Sequence, residues 1–161
     1  MAPRDLAQLE TIRGLLEQNR DGPARGAVHA VMAFLAANRA DYHWTGVYVL
    51  DGDSLVLGPY VGPETDHTRI PVGRGVCGTA VAENANQIVD DVRAVANYLA
   101  CNLATRSEIV VLIRQPQSGA ILGQIDVDGT RVKQFGAEEA AFLSAVAELL
   151  APLTSTAICR S

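Results

Sequence analysis

Three cysteines stand in this chain of 161 residues, and two of them occupy positions where a thiol could do chemistry. Cys77 follows the glycine turn Gly73-Arg74-Gly75 and opens a short helix. Cys101 lies in Tyr98-Leu99-Ala100-Cys101-Asn102, between a loop and a strand. Both are settings in which backbone donors favour the thiolate, the nucleophilic form of cysteine. The plainer reading of any single cysteine is a buried, inert side chain. Carboxylates are the second ingredient. Alternation along Gln124-Ile125-Asp126-Val127-Asp128 puts Gln124, Asp126 and Asp128 on one face, and Glu108 begins the partner strand. Three carboxylates can therefore converge, and clustered carboxylates raise one another's pKa until one holds a proton at neutral pH. Asp128 with Gly129 also reads as an ordinary turn. Asp126 has no such plain explanation, because charge on an internal strand is costly unless it is solvated or used. The third ingredient is aromatic. In Trp44-Thr45-Gly46-Val47-Tyr48, alternation puts Trp44, Gly46 and Tyr48 on one face, a platform on which a ligand can lie. Core packing is the commoner fate of strand aromatics.

Two other chemistries are set aside. Gly73-Arg74-Gly75-Val76-Cys77-Gly78 has the G-x-G-x-x-G spacing, with Asp90 and Asp91 downstream. That spacing cradles a dinucleotide only between a full strand and a full helix of an alternating β-α-β chain. Here the preceding strand is only Ile70-Pro71-Val72, proline is poor in a central strand, and no alternation follows. A tight turn before a short helix is the preferred reading. No metal is expected, because His29, His43 and His67 show no ligand spacing with one another or with the cysteines.

The elements that must position these residues follow from periodicity. Leu6, Leu9, Ile12 and Leu16 recur at helical spacing up to Asp21-Gly22-Pro23, and a second helix carries Val28, Val31 and Leu35. Trp44 to Leu50 and Ser54 to Tyr60 read as a hairpin around Asp51-Gly52-Asp53. Residues 61–69 have loop composition, and a short helix starts near Val76. Gln87 to Asp90 suits a short strand. Ser107 to Arg114 and Ala120 to Asp128 read as a second hairpin. Gly136-Ala137-Glu138-Glu139 then starts a helix with acidic residues in its first turn, carrying Phe142, Val146, Leu149 and Leu153 on one stripe. Pro152 is positioned to kink its end. The expectation is one α+β domain over 1–161: N-terminal helices over 1–40, an antiparallel sheet with active-site loops over 44–128, and a C-terminal helix over 136–158.

Composition narrows the class. Hydrophobic residues make up 48% and charged residues 19%, which excludes a disordered chain. A net charge of −5 without a Lys/Arg cluster argues against nucleic-acid binding. No signal segment and no apolar run long enough to span a membrane is visible, so a cytoplasmic protein with reduced thiols is expected.

Taken together, these stretches resemble the free methionine-(R)-sulfoxide reductases, a family of single GAF domains. The resemblance rests on Trp44-Thr-Gly-Val-Tyr48, Leu57-Gly-Pro-Tyr60, the block from Arg69 to Val81, Leu99-Ala-Cys101, Ser107-Glu-Ile-Val110 and Ile125-Asp-Val-Asp128. It implies a GAF-like antiparallel sheet flanked by helices. It further implies Cys101 as catalytic nucleophile and Cys77 as a second, resolving cysteine. Glu108, Asp126 and Asp128 would be the carboxylates that bind or protonate the substrate, and Trp44 and Tyr48 the pocket aromatics. The implied activity is reduction of free methionine (R)-sulfoxide through a cysteine sulfenic acid, then a disulfide reopened by thioredoxin, with no other cofactor and a homodimer allowed. Two positions depart from the family pattern: His67 replaces a further cysteine, and Asn102 replaces the aspartate after the nucleophile. The competing expectation is a non-catalytic GAF module that binds a small molecule or senses redox state.

Overall fold

Hydrophobic alternation in the two hairpins builds the centre of the sheet. A computed structural model describes residues 1–99 and 103–159 of the chain. Its strands are β1 (Trp44–Asp51), β2 (Ser54–Val61), β3 (Arg69–Pro71), β4 (Gln87–Val89), β5 (Ser107–Arg114) and β6 (Ile121–Gly129). They form one antiparallel sheet in the order β3-β2-β1-β6-β5-β4. Its helices are α1 (Pro3–Gln18), α2 (Ala24–Asn38), α3 (Gly75–Glu83) and α4 (Ala137–Leu150). The expected α+β architecture is therefore the one observed.

Period-two alternation gives the sheet two different faces. Val47 and Val49 of β1, Ile109, Val111 and Ile113 of β5, and Ile125 and Val127 of β6 point toward α1, α2 and α4 and form the main core. The intervening positions face the other way. There Trp44, Tyr48, Val110 and Leu112 pack with Val76, Cys77 and Ala80 of α3 into a second, smaller cluster. The carboxylates of β5 and β6 share this second face. The main core makes the fold stable, and the smaller cluster holds the site.

The three core helices are joined at Arg39. Its buried guanidinium donates to Asp5 of α1 at 2.6 Å and to Glu139 of α4 at 2.6 and 3.1 Å. It also lies 3.9 Å above the Phe142 ring. Tyr42 donates its hydroxyl to the same Glu139. This pairing changes the expected stripe of α1. Leu6 is exposed, and Asp5 is buried with Leu9 and Ile12, because Arg39 draws the carboxylate inward. The C-terminal helix also differs from the expected 136–158. It stops at Leu150, because Pro152 has no N–H to continue the ladder and its ring crowds the preceding turn. Two 3₁₀ turns follow, Ala151–Leu153 and Thr156–Cys159, with Thr154 donating its hydroxyl to the Leu150 carbonyl at 2.8 Å. No helix of the described residues is long and apolar enough to cross a membrane.

Candidate active site

The glycine block shapes one wall. Gly73 and Gly75 adopt φ of 95° and 63°, a region that side chains disfavour. Together they turn the chain sharply from β3 into α3. Gly78 lets α3 sit against that turn: a Cβ there would lie 2.6 Å from the Pro71 carbonyl oxygen and 2.9 Å from the Gly73 nitrogen. The block is thus a packing device on an edge strand, and the dinucleotide reading stays rejected. Its effect is to hold Cys77, in the first turn of α3, over the second face of the sheet. The Cys77 carbonyl accepts from the fully buried Gln124 amide at 3.4 Å, which ties α3 to β6.

Strand register supplies the carboxylates. Glu108 of β5 stands directly opposite Asp128 of β6, and Asp126 stands opposite Gly46 of β1. All three are buried, at 4%, 1% and 0% exposure. Cys77 Sγ lies 3.9 Å from Glu108 Oε2, and one ligand-type atom from each of Cys77, Glu108 and Asp126 falls within 4.8 Å of the other two. Among the described residues, neither oxygen of Asp126 or of Asp128 has a hydrogen-bond partner. Burial raises the pKa of Asp126, opposed by the neighbouring Glu108 and Cys77. Burial also pushes Asp128 well above the usual carboxylate range, with the charge of Asp126 adding to it. Convergence was expected from the sequence, with mutual repulsion as the reason for a retained proton. Loss of water is the larger cause.

Aromatic rings form the adjoining wall. Trp44, opposite Asp128 across the sheet, stacks on Tyr60 at 5.2 Å and 16° and on Tyr48 at 6.1 Å and 25°. Gly46 makes room for them, since a Cβ there would meet the Trp44 ring at 2.5 Å. The polar edges are tied to the loop that follows β2: Trp44 Nε1 donates to the Pro63 carbonyl at 3.1 Å and the Tyr48 hydroxyl to the His67 carbonyl at 2.8 Å. Tyr60 was given no role from the sequence. The structure puts it opposite Gly46, past a register shift in the hairpin. His67 stands at the rim of this aromatic layer, held through its backbone.

The remaining thiols are placed as follows. Cys101, and Asn102 beside it, lie outside the described residues. Leu99, two residues before Cys101 in the chain, packs against Gly75 and helps to line a cavity of about 10 Å³ with Ile70, Arg74, Val76, Cys77 and Glu108. Such a cavity is about the size of one water or one ion. Cys159 belongs to the other side of the molecule. It packs against the main core with its thiol 3.6 Å from the Val56 carbonyl, and burial raises its pKa. The sheet separates it from Cys77.

The geometry joins a thiol, three buried carboxylates and an aromatic wall on one face of a six-stranded antiparallel sheet. Residues 24–152 match the GAF domain model. A type II free methionine-R-sulfoxide reductase from Thermoplasma acidophilum superposes with a TM-score of 0.78 at 40% identity, over 81% of this chain and 92% of that one. The chain belongs to the free methionine-R-sulfoxide reductase family of GAF domains. A substrate complex of the Neisseria meningitidis free methionine-R-sulfoxide reductase superposes with a TM-score of 0.82 at 31% identity, over 96% of this chain and 92% of that one. The Escherichia coli (strain K12) free methionine-R-sulfoxide reductase is 44% identical over 108 residues, 66% of this chain and 63% of that protein. The aligned stretch thus spans somewhat under two thirds of that relative.

Proposed function

We propose that this GAF domain reduces free L-methionine (R)-sulfoxide to methionine with its own thiols. The observation that carries the reading is the pair of buried carboxylates, Asp126 and Asp128, which have no hydrogen-bond partner among the described residues and lie beside Glu108 and Cys77. Buried carboxylates without donors are costly in a resting protein, and a substrate that brings an ammonium group and a protonatable oxygen relieves that cost. Free methionine sulfoxide has both. Trp44 and Tyr60 offer an apolar wall for its methyl and methylene groups.

In the first step the Cys101 thiolate attacks the sulfoxide sulfur while a protonated carboxyl of the cluster gives its proton to the sulfoxide oxygen. The oxygen ends on cysteine: methionine leaves with its sulfur reduced by two electrons, and Cys101 becomes a sulfenic acid. The Cys77 thiol then displaces water from that sulfenic acid and forms a Cys77–Cys101 disulfide. A dithiol reductant of the thioredoxin type exchanges with the disulfide, restoring both thiols and leaving itself oxidised. His67 stands where the family commonly carries a further thiol, and Cys159 lies across the sheet, so the resolving role falls to Cys77.

The test is a thioredoxin-coupled assay on the separated epimers of free methionine sulfoxide. Turnover of the R epimer and not the S epimer is expected. Cys101→Ser should abolish it, Cys77→Ser should still release about one equivalent of methionine before stalling, and Cys159→Ser should recycle normally. Absence of R-epimer turnover by the wild type overturns the reading. A product disulfide mapped from Cys101 to Cys159 overturns the assignment of Cys77.

A further inference from the structure

The Cys77–Glu108–Asp126 cluster has a second chemical capability. One sulfur and two carboxylate oxygens, all on buried side chains, lie within 4.8 Å of one another, close enough to converge on a single ion. For a tetrahedral zinc ion, bonds of about 2.3 Å to sulfur and about 2.1 Å to oxygen set the sulfur-to-oxygen separation near 3.6 Å. Cys77 Sγ and Glu108 Oε2 stand at 3.9 Å, so only small side-chain adjustments close the site. The three groups come from three elements: Cys77 from the rigid first turn of α3, Glu108 and Asp126 from adjacent strands at the centre of the sheet. Their spacing is therefore fixed by the fold. Asp126 is fully buried, with neither oxygen hydrogen-bonded among the described residues, and one of its oxygens lies within the cluster. A cavity of about 10 Å³, the size of one water, borders two of the three groups, Cys77 and Glu108.

We propose that the reduced protein binds one thiophilic divalent cation, of the zinc or cadmium class, through Cys77, Glu108 and Asp126, and that this cation excludes substrate. The mixed sulfur and oxygen donor set suits zinc and cadmium and disfavours magnesium and calcium, which seek oxygen alone. The cation is a competitor, not a cofactor. It occupies the carboxylates that the substrate would use and blocks the thiol that would resolve the sulfenic acid. Binding displaces the Cys77 thiol proton, so it strengthens as pH rises. It is also confined to the reduced protein, because a disulfide at Cys77 removes the sulfur ligand. The exclusion of substrate rests on the function proposed above; the binding of the cation does not.

The test is titration of the reduced, chelator-treated full chain with cadmium, reading the ultraviolet thiolate-to-cadmium absorption. One equivalent is expected, and the affinity should fall at least about tenfold in Cys77→Ala and in Asp126→Asn. Should Asp126→Asn fail to fold, Glu108→Gln carries the same expectation. Cys159→Ala should leave the signal intact. No absorption at one equivalent, a signal that survives Cys77→Ala, or one that is lost with Cys159→Ala or with Cys101→Ser alone, overturns the proposal. In the coupled assay, one equivalent of zinc should suppress R-epimer turnover and a chelator should restore it. Cation binding with no turnover under any condition would refute the proposed activity and leave the site standing. Turnover indifferent to a bound cation would refute the competition.

Discussion

Asp128 loses its water on folding and gains the charge of Asp126 as a neighbour, which together outweigh the opposing contacts of Glu108 and Thr105, so its proton is held more tightly in the folded chain than in the unfolded one. The sign of the consequence follows. Its stabilising contribution is fully present below the ordinary carboxylate pKa and is lost as pH rises through the raised, folded-state value. Near neutral pH this carboxyl therefore costs the fold stability that the proposed chemistry uses. Asp128→Asn, which cannot ionise, is expected to melt higher than the wild type near pH 8, by about 2–4 °C for about 1 kcal/mol. The difference should shrink toward pH 4, and turnover of the R epimer should fall at least about tenfold. Calorimetry at the two pH values checks the first part, and equal shifts at both would contradict it. The proposed role of Cys77 makes a different demand, that its thiol be held above the sheet.

Placing that thiol is the work of α3 and the glycine turn. Alanine in a helix normally stabilises relative to glycine by about 1 kcal/mol. At position 78 the opposite is expected, because the new Cβ would meet the backbone at Pro71 and Gly73, which cannot swing aside. Gly78→Ala should lower stability by about 1–3 kcal/mol and slow Cys77–Cys101 disulfide formation after a single turnover. Thermal melting and quenched-flow thiol counting measure the two effects. At this scale the sequence was readable where one period ruled. The two long hairpins and the carboxylate face of β6 follow from alternation, and the start of the short α3 from the glycine turn before it. Tyr60 was not readable as part of the site, because β1 and β2 shift register between Gly46 and Tyr48 and simple counting fails across the shift. The inward turn of Asp5 and the stop of α4 at Leu150 depended on Arg39 and on Pro152, one a distant partner and one a residue whose effect reaches back a full turn. For Cys101 the sequence resemblance remains the whole basis of its assignment.

Across the whole molecule, Arg39 does for the helices what register does for the strands. Burial opposes its charge, but the hydrogen bonds it donates to Asp5 and Glu139 win, and its pKa rises above the ordinary value. Burial likewise works against ionised Asp5, and Arg39 and Arg4 outweigh it, so the Asp5 pKa falls. That contribution is present above the ordinary carboxylate pKa and lost as pH falls through the lowered value. Arg39→Ala would leave Glu139 without its guanidinium partner and Asp5 with only the exposed Arg4, a loss of about 3 kcal/mol. The midpoint of urea unfolding on the full chain measures it. A loss under about 0.5 kcal/mol would show that the helices are held by apolar contact alone.

The order of the sheet has a further consequence. Its outermost strands, β3 and β4, are three residues each, while the long strands all lie inside. A foreign strand seeking to extend the ladder would find only a few free backbone groups on either border, too few to hold it. The protein can therefore keep four long, largely buried strands at its centre without offering them as a seed for fibrous aggregation.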